Sequence, residues 1–397
     1  MSIELGNAAE HALGYEHIAL SQLESSVERR GDVDPTVDIG GIRVVPIMAA
    51  NMQITTPDLA VALTKEDFMV AAPKWWKTED YGKFQDNGGK FSHLSVTGGV
   101  ADLEIIDTVL GEFKDIPMII GDVSQGGMTA FMRGFLPTIK NNHPHRIVIG
   151  GNIDNPDLAR TIVKHVDGVK VGVGPSPTCT TRAVAGVGRP QASAVHSVAK
   201  TVRGEFFGSG TYRDKIVIAD GGISMPGDVA KALTLGANIA MVGRVLAGTN
   251  EAGGDVIEVL QDGADRDNPD AWITYKGYFG SSNFKANGDQ KPERIEGRQT
   301  YVLAAGPIER VLREYREGLQ SFGSFQGQTN LTEAAKAAKM FYVRQGLNKA
   351  DAQQPWIRQS ISRQEFKVLE MAGRARTSTT QRAAEWYETA FSGRQRS

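Results

Sequence analysis

The feature that most constrains the fold of this chain is a series of short apolar runs, each followed by turn-forming or polar residues. The runs span residues 44–49, 68–72, 93–96, 118–121, 147–150, 169–173, 216–219 and 239–242. The runs are continuous and mostly apolar instead of alternating between apolar and polar residues. We therefore expect strands that are covered on both faces, as in a parallel sheet.

Helical patterns separate these runs. They span residues 57–63, 102–113, 128–139, 157–165, 191–202 and 226–235. Eight strand–helix units within roughly 200–250 residues are the usual content of a (β/α)8 TIM barrel. The sequence therefore predicts an α/β protein with this barrel. A doubly wound sheet is the alternative, weakened because no G-x-G-x-x-G opens a helix after the first run.

The remaining segments predict a division into three parts. We expect an N-terminal arm at 1–40, a catalytic barrel at 41–345 and a C-terminal extension at 346–397. Within the barrel, residues from about 251 to 300 are polar and rich in Gly, Asp and Asn, which predicts an active-site flap over the rim. The extension is basic and has helical patterns at 363–372 and 380–391. It predicts a packed helical arm without a catalytic role, and an interaction element is the alternative.

Composition narrows the class of protein. The formal net charge of the 397 residues is −2, so no nucleic-acid partner is expected. A single cysteine permits no internal disulfide, and neither a signal peptide nor an apolar run of membrane-spanning length is present. The seven histidines lack an H-x-x-x-H spacing, so no zinc site is expected. The sequence predicts a cytoplasmic protein without a membrane partner.

The lone cysteine, Cys179, lies among glycine, proline and small hydroxyl residues directly after the run 169–173. A structural cysteine usually has apolar neighbours, and for an arbitrary single cysteine that interpretation would be preferred. A thiol on a loop at the carboxyl end of a strand is instead placed for nucleophilic chemistry. We therefore predict that Cys179 is a nucleophile.

Polar and glycine residues follow most of the other runs as well. They are Asn51, Lys74, Asp122, Asn152, Asp220-Gly221-Gly222 and Gly243-Arg244. In a barrel these loops converge on one rim, where active sites lie. Each position alone is weak evidence, because turn residues follow strands in any α/β protein. Their convergence with Cys179 predicts an enzyme.

The loops after the last two strands predict a phosphate site. Backbone N–H groups near Gly222 and Gly243 suit an anion, Arg244 suits a phosphate, and Asp220 suits ribose hydroxyls. A helix cap for Asp220 and a solvated charge for Arg244 are the alternatives. The turn before Cys179 also predicts, more weakly, a potassium site of backbone carbonyls at Gly172, Gly174 and Cys179.

Three motifs together resemble the IMP dehydrogenase/GMP reductase family. They are Gly174-Pro175 with Cys179-Thr180-Thr181-Arg182, then Gly186-Val187-Gly188 with Pro190-Gln191, then Asp220-Gly221-Gly222 with Pro226-Gly227-Asp228. The resemblance runs from about residue 13 to 343. Ala49-Ala50-Asn51-Met52 and the short segment 278–297 resemble the reductase branch. The stretch at 122–126 blends features of both branches, and the one at 295–298 resembles the dehydrogenase branch. Both branches therefore stay open, and the reductase is preferred.

The resemblance implies a reaction. Cys179 would add to C2 of the purine of GMP, ammonia would leave, and NADPH would supply a hydride to give IMP. Thr181 and Glu296 would handle the proton of the leaving ammonia, with Glu293 as the alternative to Glu296. A homotetramer or homo-octamer is also implied. The competing hypotheses are an NAD-dependent IMP dehydrogenase and a nucleotide-binding paralogue without catalysis.

The resemblance also implies contacts for each ligand. Asn51, Lys74, Asp122, Gly151 and Asn152 would bind the nicotinamide cofactor. The purine nucleoside monophosphate would be held by Ser176, Thr178, Asp220, Gly221, Gly222, Gly243, Arg244, Tyr278, Gly280 and Ser281.

The chain departs from the family pattern at several of these positions. Ser176-Pro177 stands where glycine-serine is usual, Gln53 where aspartate is usual, Arg244 where a small residue is usual and Ser281 where methionine is usual. These departures leave open whether the substrate is GMP, dGMP or a modified purine nucleotide.

Overall fold

A computed structural model describes residues 12–176, 178–204, 215–280, 299–343 and 360–377. Its strands are β1 (Ile18–Leu20), β2 (Val37–Ile39), β3 (Ile42–Ala49), β4 (Phe68–Ala71), β5 (Leu94–Gly98), β6 (Met118–Asp122), β7 (Ile147–Ile153), β8 (Gly168–Val171), β9 (Ile216–Asp220), β10 (Ile239–Val242), β11 (Val256–Leu260), β12 (Trp272–Phe279), β13 (Gln299–Leu303), β14 (Met340–Tyr342), β15 (Ser360–Ser362) and β16 (Ala375–Thr377). Its helices are α1 (Pro57–Lys65), α2 (Thr78–Asp86), α3 (Leu103–Glu112), α4 (Leu136–Asn142), α5 (Pro156–Ile162), α6 (Thr181–Ala185), α7 (Gln191–Val202), α8 (Pro226–Thr234), α9 (Arg244–Ala247), α10 (Ile308–Phe325), α11 (Leu331–Ala337) and α12 (Arg363–Met371). A π-helical segment, Ala130–Phe135, runs into α4.

Strands β3 to β10 form a closed parallel barrel. Each strand pairs with the next along the chain, and β10 pairs with β3 through the register Ala240↔Ile47, Met241↔Met48 and Val242↔Ala49. The predicted (β/α)8 barrel is therefore confirmed, and its strands lie within a few residues of the predicted runs. The doubly wound alternative is wrong because the sheet has no open edge between β3 and β10.

Two apolar layers explain why these strands read as continuous runs. One face of each strand points into the barrel, where the core includes Met48, Met69, Ile120 and Met241. The opposite face packs against the surrounding helices. A strand buried on both faces needs apolar residues at every position. Helix α1 shows how the sequence starts the outer layer, because the Thr56 side chain accepts the Leu59 N–H and Pro57 opens the helix.

The N-terminal arm makes two pairings. Strand β1 pairs antiparallel with β14, and β2 forms a hairpin with the first residues of β3. Helix α2 was not expected from the sequence, because its core side chains are only Tyr81 and Phe84 in an otherwise polar stretch.

A second, antiparallel sheet stands beside the barrel. Its strand order is β15-β13-β12-β11-β16, and α12 packs on it through Phe366, next to Tyr275 and Tyr301. Part of the segment expected as a flap is thus sheet, since β11 and β12 fall within it. Buried polar residues such as Glu258 and Lys276 interrupt the apolar pattern of these strands and hid them from sequence analysis.

The C-terminal extension supplies both outer strands of this sheet. Strand β15 covers the edge of β13, and β16 covers the edge of β11. Covered edges cannot pair with other chains. The helical pattern at 363–372 matches α12, and the one at 380–391 lies outside the described residues. The boundaries of the three parts stay a prediction. In the described part of the chain, no helix has both the length and the apolarity needed to cross a membrane.

Candidate active site

A cavity of about 590 Å³ opens at the carboxyl ends of the barrel strands. Residues at or just beyond the carboxyl ends of seven of the eight strands line it, among them Asn51, Lys74, Asp122, Asn152 and Cys179. Most of the loops that sequence analysis expected to converge on one rim therefore meet around a single space. Its volume suits a ligand of nucleotide size.

Cys179 lies in the turn between β8 and α6 and is partly exposed to this cavity. Its N–H donates to the Ser176 carbonyl at 3.0 Å, and its Sγ lies 3.3 Å from Thr181 Oγ1. Gly174 has a φ of +81°, and a Cβ there would lie 2.5 Å from the Arg182 side chain, so only glycine fits. The turn thus presents the thiol beside a hydroxyl.

Three hydroxyl groups meet on one side of the thiol loop. Ser176 Oγ lies 2.9 Å from Thr178 Oγ1 and 3.3 Å from the Tyr278 hydroxyl. Tyr278 comes from β12 and is 2% exposed. Burial raises the pKa of Tyr278, so its hydroxyl stays protonated and can donate. This hydroxyl cluster brings the second sheet into contact with the barrel rim.

A buried ion triad forms the floor of the cavity. Lys170 Nζ lies 2.8 Å from Asp122 Oδ1 and 2.7 Å from Asp220 Oδ2. Burial alone would lower the pKa of Lys170, but the two carboxylates outweigh it and raise that pKa. Burial alone would raise the pKa of Asp122, but Lys170 and the Asn51 amide outweigh it and lower that pKa. Lys170 and Asp122 are therefore held in their charged forms.

Two amide side chains donate hydrogen bonds to the carboxylates of the triad. Asn51 Nδ2 donates to Asp122 Oδ2 at 2.7 Å, and Asn152 Nδ2 donates to Asp220 Oδ2 at 2.8 Å. Asn152 Nδ2 also lies 2.9 Å from the Gly172 carbonyl. Asn152 Oδ1 is buried and has no hydrogen-bond partner among the described residues. A buried acceptor without a partner suits an N–H group of a ligand.

Strand periodicity explains why the triad points into the barrel. Side chains two residues apart share a face, so Asp122 follows the inward-facing Met118 and Ile120. Asp220 follows Ile216 and Ile218 in the same way. Lys170 has the opposite parity from Val169 and Val171, which pack in the outer layer.

Several predicted site residues lie apart from this cavity or at its margin. Gly222 borders a second cavity, of about 840 Å³, between the N-terminal arm, α8 and α10. Gly243 packs against Met52 and Tyr278, and Arg244 lies close enough to Tyr278 to affect its pKa. Gly151 lies against the Lys170 backbone.

Of the other predicted residues, some line the cavity, and some lie outside the part of the chain that the structure describes. Ser176, Thr178, Asp220, Gly221 and Gly280 line the cavity. Glu296, Glu293 and Ser281 lie outside the described residues.

Sequence analysis did not predict the place of Lys170 in the site or the contact of Gln53 with β12. The sequence could have indicated Lys170, because it is the one charged residue in 168–173. A charge in a buried strand needs partners of opposite charge. Gln53 contacts the backbone of β12. Nothing in the sequence indicated this contact, because the two segments are more than 200 residues apart.

The closed barrel with a cysteine in its rim cavity defines a (β/α)8-barrel protein with an enzyme-like site. The model of the IMP dehydrogenase / GMP reductase domain matches residues 95–350. The chain therefore belongs to the IMP dehydrogenase/GMP reductase family, as its motifs predicted, and the prediction of an oxidoreductase is confirmed.

Individual relatives are similar in sequence to this chain over most of its length. A GMP reductase of Phytophthora infestans is 32% identical over 321 residues, which cover 78% of this chain and 83% of the relative. A GMP reductase of Klebsiella pneumoniae is 30% identical, and the match covers 85% of this chain and 96% of the relative. Human GMP reductase 2 is 29% identical, with coverages of 85% and 95%.

Proposed function

We propose that this chain is a reductase of the GMP reductase type, which converts a guanine nucleoside monophosphate to the hypoxanthine nucleotide and ammonia. The observation that carries the proposal is the position of Cys179, partly exposed in a nucleotide-sized cavity and 3.3 Å from Thr181 Oγ1. The relatives named GMP reductase support the same reaction.

The chain's own residues would carry the chemistry in a fixed order. The Cys179 thiolate adds to C2 of the purine, forming a C–S bond. The 2-amino group takes up a proton and leaves as ammonia, with Thr181 placed to pass that proton. Hydride addition at C2 then allows the C–S bond to break, which regenerates the thiolate and releases the nucleotide. Glu296 is the proposed proton partner of Thr181.

The hydroxyl cluster and the ion triad have separate tasks in this proposal. Ser176, Thr178 and Tyr278 offer hydroxyls to the nucleotide phosphate, with Gly221, Gly222, Gly243 and Arg244 nearby. Asp220 accepts from the ribose. The positive charge of Lys170 balances one of the two negative charges of Asp122 and Asp220, and its ion pair holds Asp220 in place.

The cofactor face would lie on the other side of the thiol. NADPH, when bound, supplies the hydride that replaces the amino group at C2. The unpartnered Asn152 Oδ1 fits the N–H of a carboxamide, and the exposed Lys74 suits a phosphate. Asn51 and Asp122 would order this face, with Gly151 at its base. We propose NADPH over NADH from the family resemblance.

Potassium is the least supported ligand. Of the three proposed carbonyls, that of Gly172 already accepts the Asn152 amide, so a cation would share this oxygen with a donor. Gly174 and Cys179 would supply the other oxygens. Activity in potassium against lithium buffers tests this part. A cytoplasmic location and a homotetramer or homo-octamer stay proposals, and size-exclusion chromatography with light scattering tests the assembly.

The experiment for the reaction combines turnover with covalent trapping. Wild-type protein should consume NADPH with GMP or dGMP, and its mass after quenching should show a purine adduct. A Cys179→Ala variant should lose turnover by more than about 10³-fold, because no other group can form the covalent intermediate. It should still bind nucleotide, as calorimetry would measure.

Three results would contradict the proposal. Turnover by Cys179→Ala would exclude the mechanism. Oxidation of IMP with NAD, without reduction of GMP or dGMP, would identify a dehydrogenase. Binding of nucleotide without any turnover would identify a non-catalytic paralogue.

A further inference from the structure

Gln53 holds the strand that carries Tyr278. Its Nε2 lies 2.8 Å from the Gly277 carbonyl and 3.3 Å from the Gly253 carbonyl. Its Oε1 accepts the Phe279 N–H at 3.4 Å. The side-chain amide thus bonds to the backbone on both sides of Tyr278, as a neighbouring strand would.

Close backbone packing keeps Gln53 in this place. A Cβ at Gly253 would lie 2.4 Å from the Gln53 carbonyl, and one at Gly254 would lie 2.2 Å from the Gly277 carbonyl. Gly254 also has a φ of +132°, which other residues rarely adopt. The loop of Gln53, the turn at 253–254 and β12 therefore touch with no intervening side chains.

The strand position held by Gln53 decides where the Tyr278 hydroxyl lies. Tyr278 is almost fully buried, so its ring has little freedom to compensate for a shift of the backbone. Its hydroxyl reaches Ser176 Oγ at 3.3 Å. A shift of about 1 Å in β12 would break that contact.

We infer that Gln53 is a positioning residue that acts through Tyr278 on Ser176 and so tunes affinity for the nucleotide phosphate. The inference rests on the proposed function, because it takes the hydroxyl cluster as the phosphate-binding part of the site. Gln53 and Ser176 are two departures from the family pattern, and Tyr278 connects them. An aspartate at position 53 would be one methylene shorter and, when ionised, would have no hydrogen to donate to the Gly277 carbonyl.

A double-mutant cycle tests this connection. Full-length Gln53→Met, Tyr278→Phe and the double variant are compared for binding of GMP and of guanosine by calorimetry without cofactor. Each single change should raise the Kd of GMP about tenfold, the effect of one lost hydrogen bond, and leave that of guanosine nearly unchanged. The double variant should bind GMP about as well as Tyr278→Phe alone, because Gln53 acts through the same hydroxyl.

Gln320→Met is the matched control. Gln320 also donates from Nε2 to a backbone carbonyl, that of Val33, at 3.1 Å, but it lies on α10 away from Tyr278. It should lose a similar amount of stability without a change in the Kd of GMP.

Two results would overturn the inference, and a third separates it from the proposed function. Additive losses in the double variant would show that Gln53 acts independently of Tyr278. An unchanged Kd with a lowered melting temperature would show a structural role only. If the wild type binds neither GMP nor IMP, the proposed function itself fails, and the inference fails with it.

Discussion

Two buried lysines of this protein, one in the barrel and one in the adjoining sheet, have opposite pKa shifts. Lys170 is 2% exposed and Lys276 is 5% exposed, so both lose nearly all contact with water. The pKa of Lys170 is raised, whereas that of Lys276 is lowered to about 8. Depth of burial therefore does not decide the charge of a lysine here.

The difference comes from the partners of the two ammonium groups. Lys170 has two carboxylates within 2.8 Å. Lys276 Nζ has backbone carbonyls of Thr249 at 2.8 Å, Asn250 at 3.3 Å and Ala252 at 2.5 Å. Burial is the main cause of its lowered pKa, and Glu251 opposes the shift only in part. Carbonyl dipoles satisfy hydrogen bonds but do not repay the loss of hydration of a full charge.

The two lysines therefore differ in charge: the partners of Lys170 favour its charged form, whereas the charge of Lys276 depends on pH. In the cavity, the raised pKa of Lys170 favours its charged form, which suits a group that holds two carboxylates. In the sheet, Lys276 joins β12 to the 249–252 loop through hydrogen bonds. The free energy of unfolding in urea measures how much each of these charged groups contributes to stability.

The largest effect is expected for Lys170→Met. This change leaves Asp122 and Asp220 buried without a cation, and removing one partner of a buried ion group costs about 3–5 kcal/mol. We expect that loss at pH 7, with a smaller loss near pH 4, because burial without Lys170 raises the pKa of Asp122 and its carboxyl can then take up a proton. A loss at pH 7 below that of Lys276→Met would contradict the assigned difference between the two sites.

The second effect is a pH dependence that Lys276→Met should remove. The folded pKa of about 8 lies below the unfolded value of 10.5. Between these two pH values the unfolded chain binds more protons, so stability rises with pH. We expect the wild type to gain at most about 3 kcal/mol over the variant from pH 8 to 10.5. Parallel pH profiles for the two proteins would exclude a lowered pKa.

The smallest effect is expected at the edge of the same sheet. Arg376 in β16 lies with its Nε 2.7 Å from Glu258 and its guanidinium carbon 3.9 Å from the centre of the Trp272 ring. It is half exposed, so Arg376→Ala should cost about 1–2 kcal/mol. Lys336→Ala is the control, since Lys336 makes an ion pair with Glu333 that is exposed on both sides. Equal losses in both variants would show that the Arg376 contacts add nothing.

Sequence reasoning predicted the barrel well and its neighbouring sheet poorly, for a physical reason. The barrel strands are covered on both faces, so their apolar runs stand out, as at 118–121 and 239–242. The sheet strands carry buried Glu258 and Lys276, whose hydrogen-bond partners are Arg376 and the backbone of the 249–252 loop. An apolar pattern cannot reveal a polar residue that is satisfied by a tertiary contact.

The candidate site shows the same division. Cys179, Asp122, Asn152 and Asp220 were predicted for the rim because each follows an apolar run, and a parallel barrel brings strand ends together. Lys170 could have been found from its parity within β8. The contact of Gln53 with Phe279 could not, because 226 residues separate them along the chain.

The sequence by itself determined the closed barrel, the family and the position of the thiol on the rim, because strand periodicity and local motifs act over a few residues. Only the tertiary structure decided which charges and hydroxyls meet. Closure of the barrel places Lys170 between two carboxylates, and docking of β12 places Tyr278 against Ser176. Both depend on the relative position of distant segments, which local patterns do not encode.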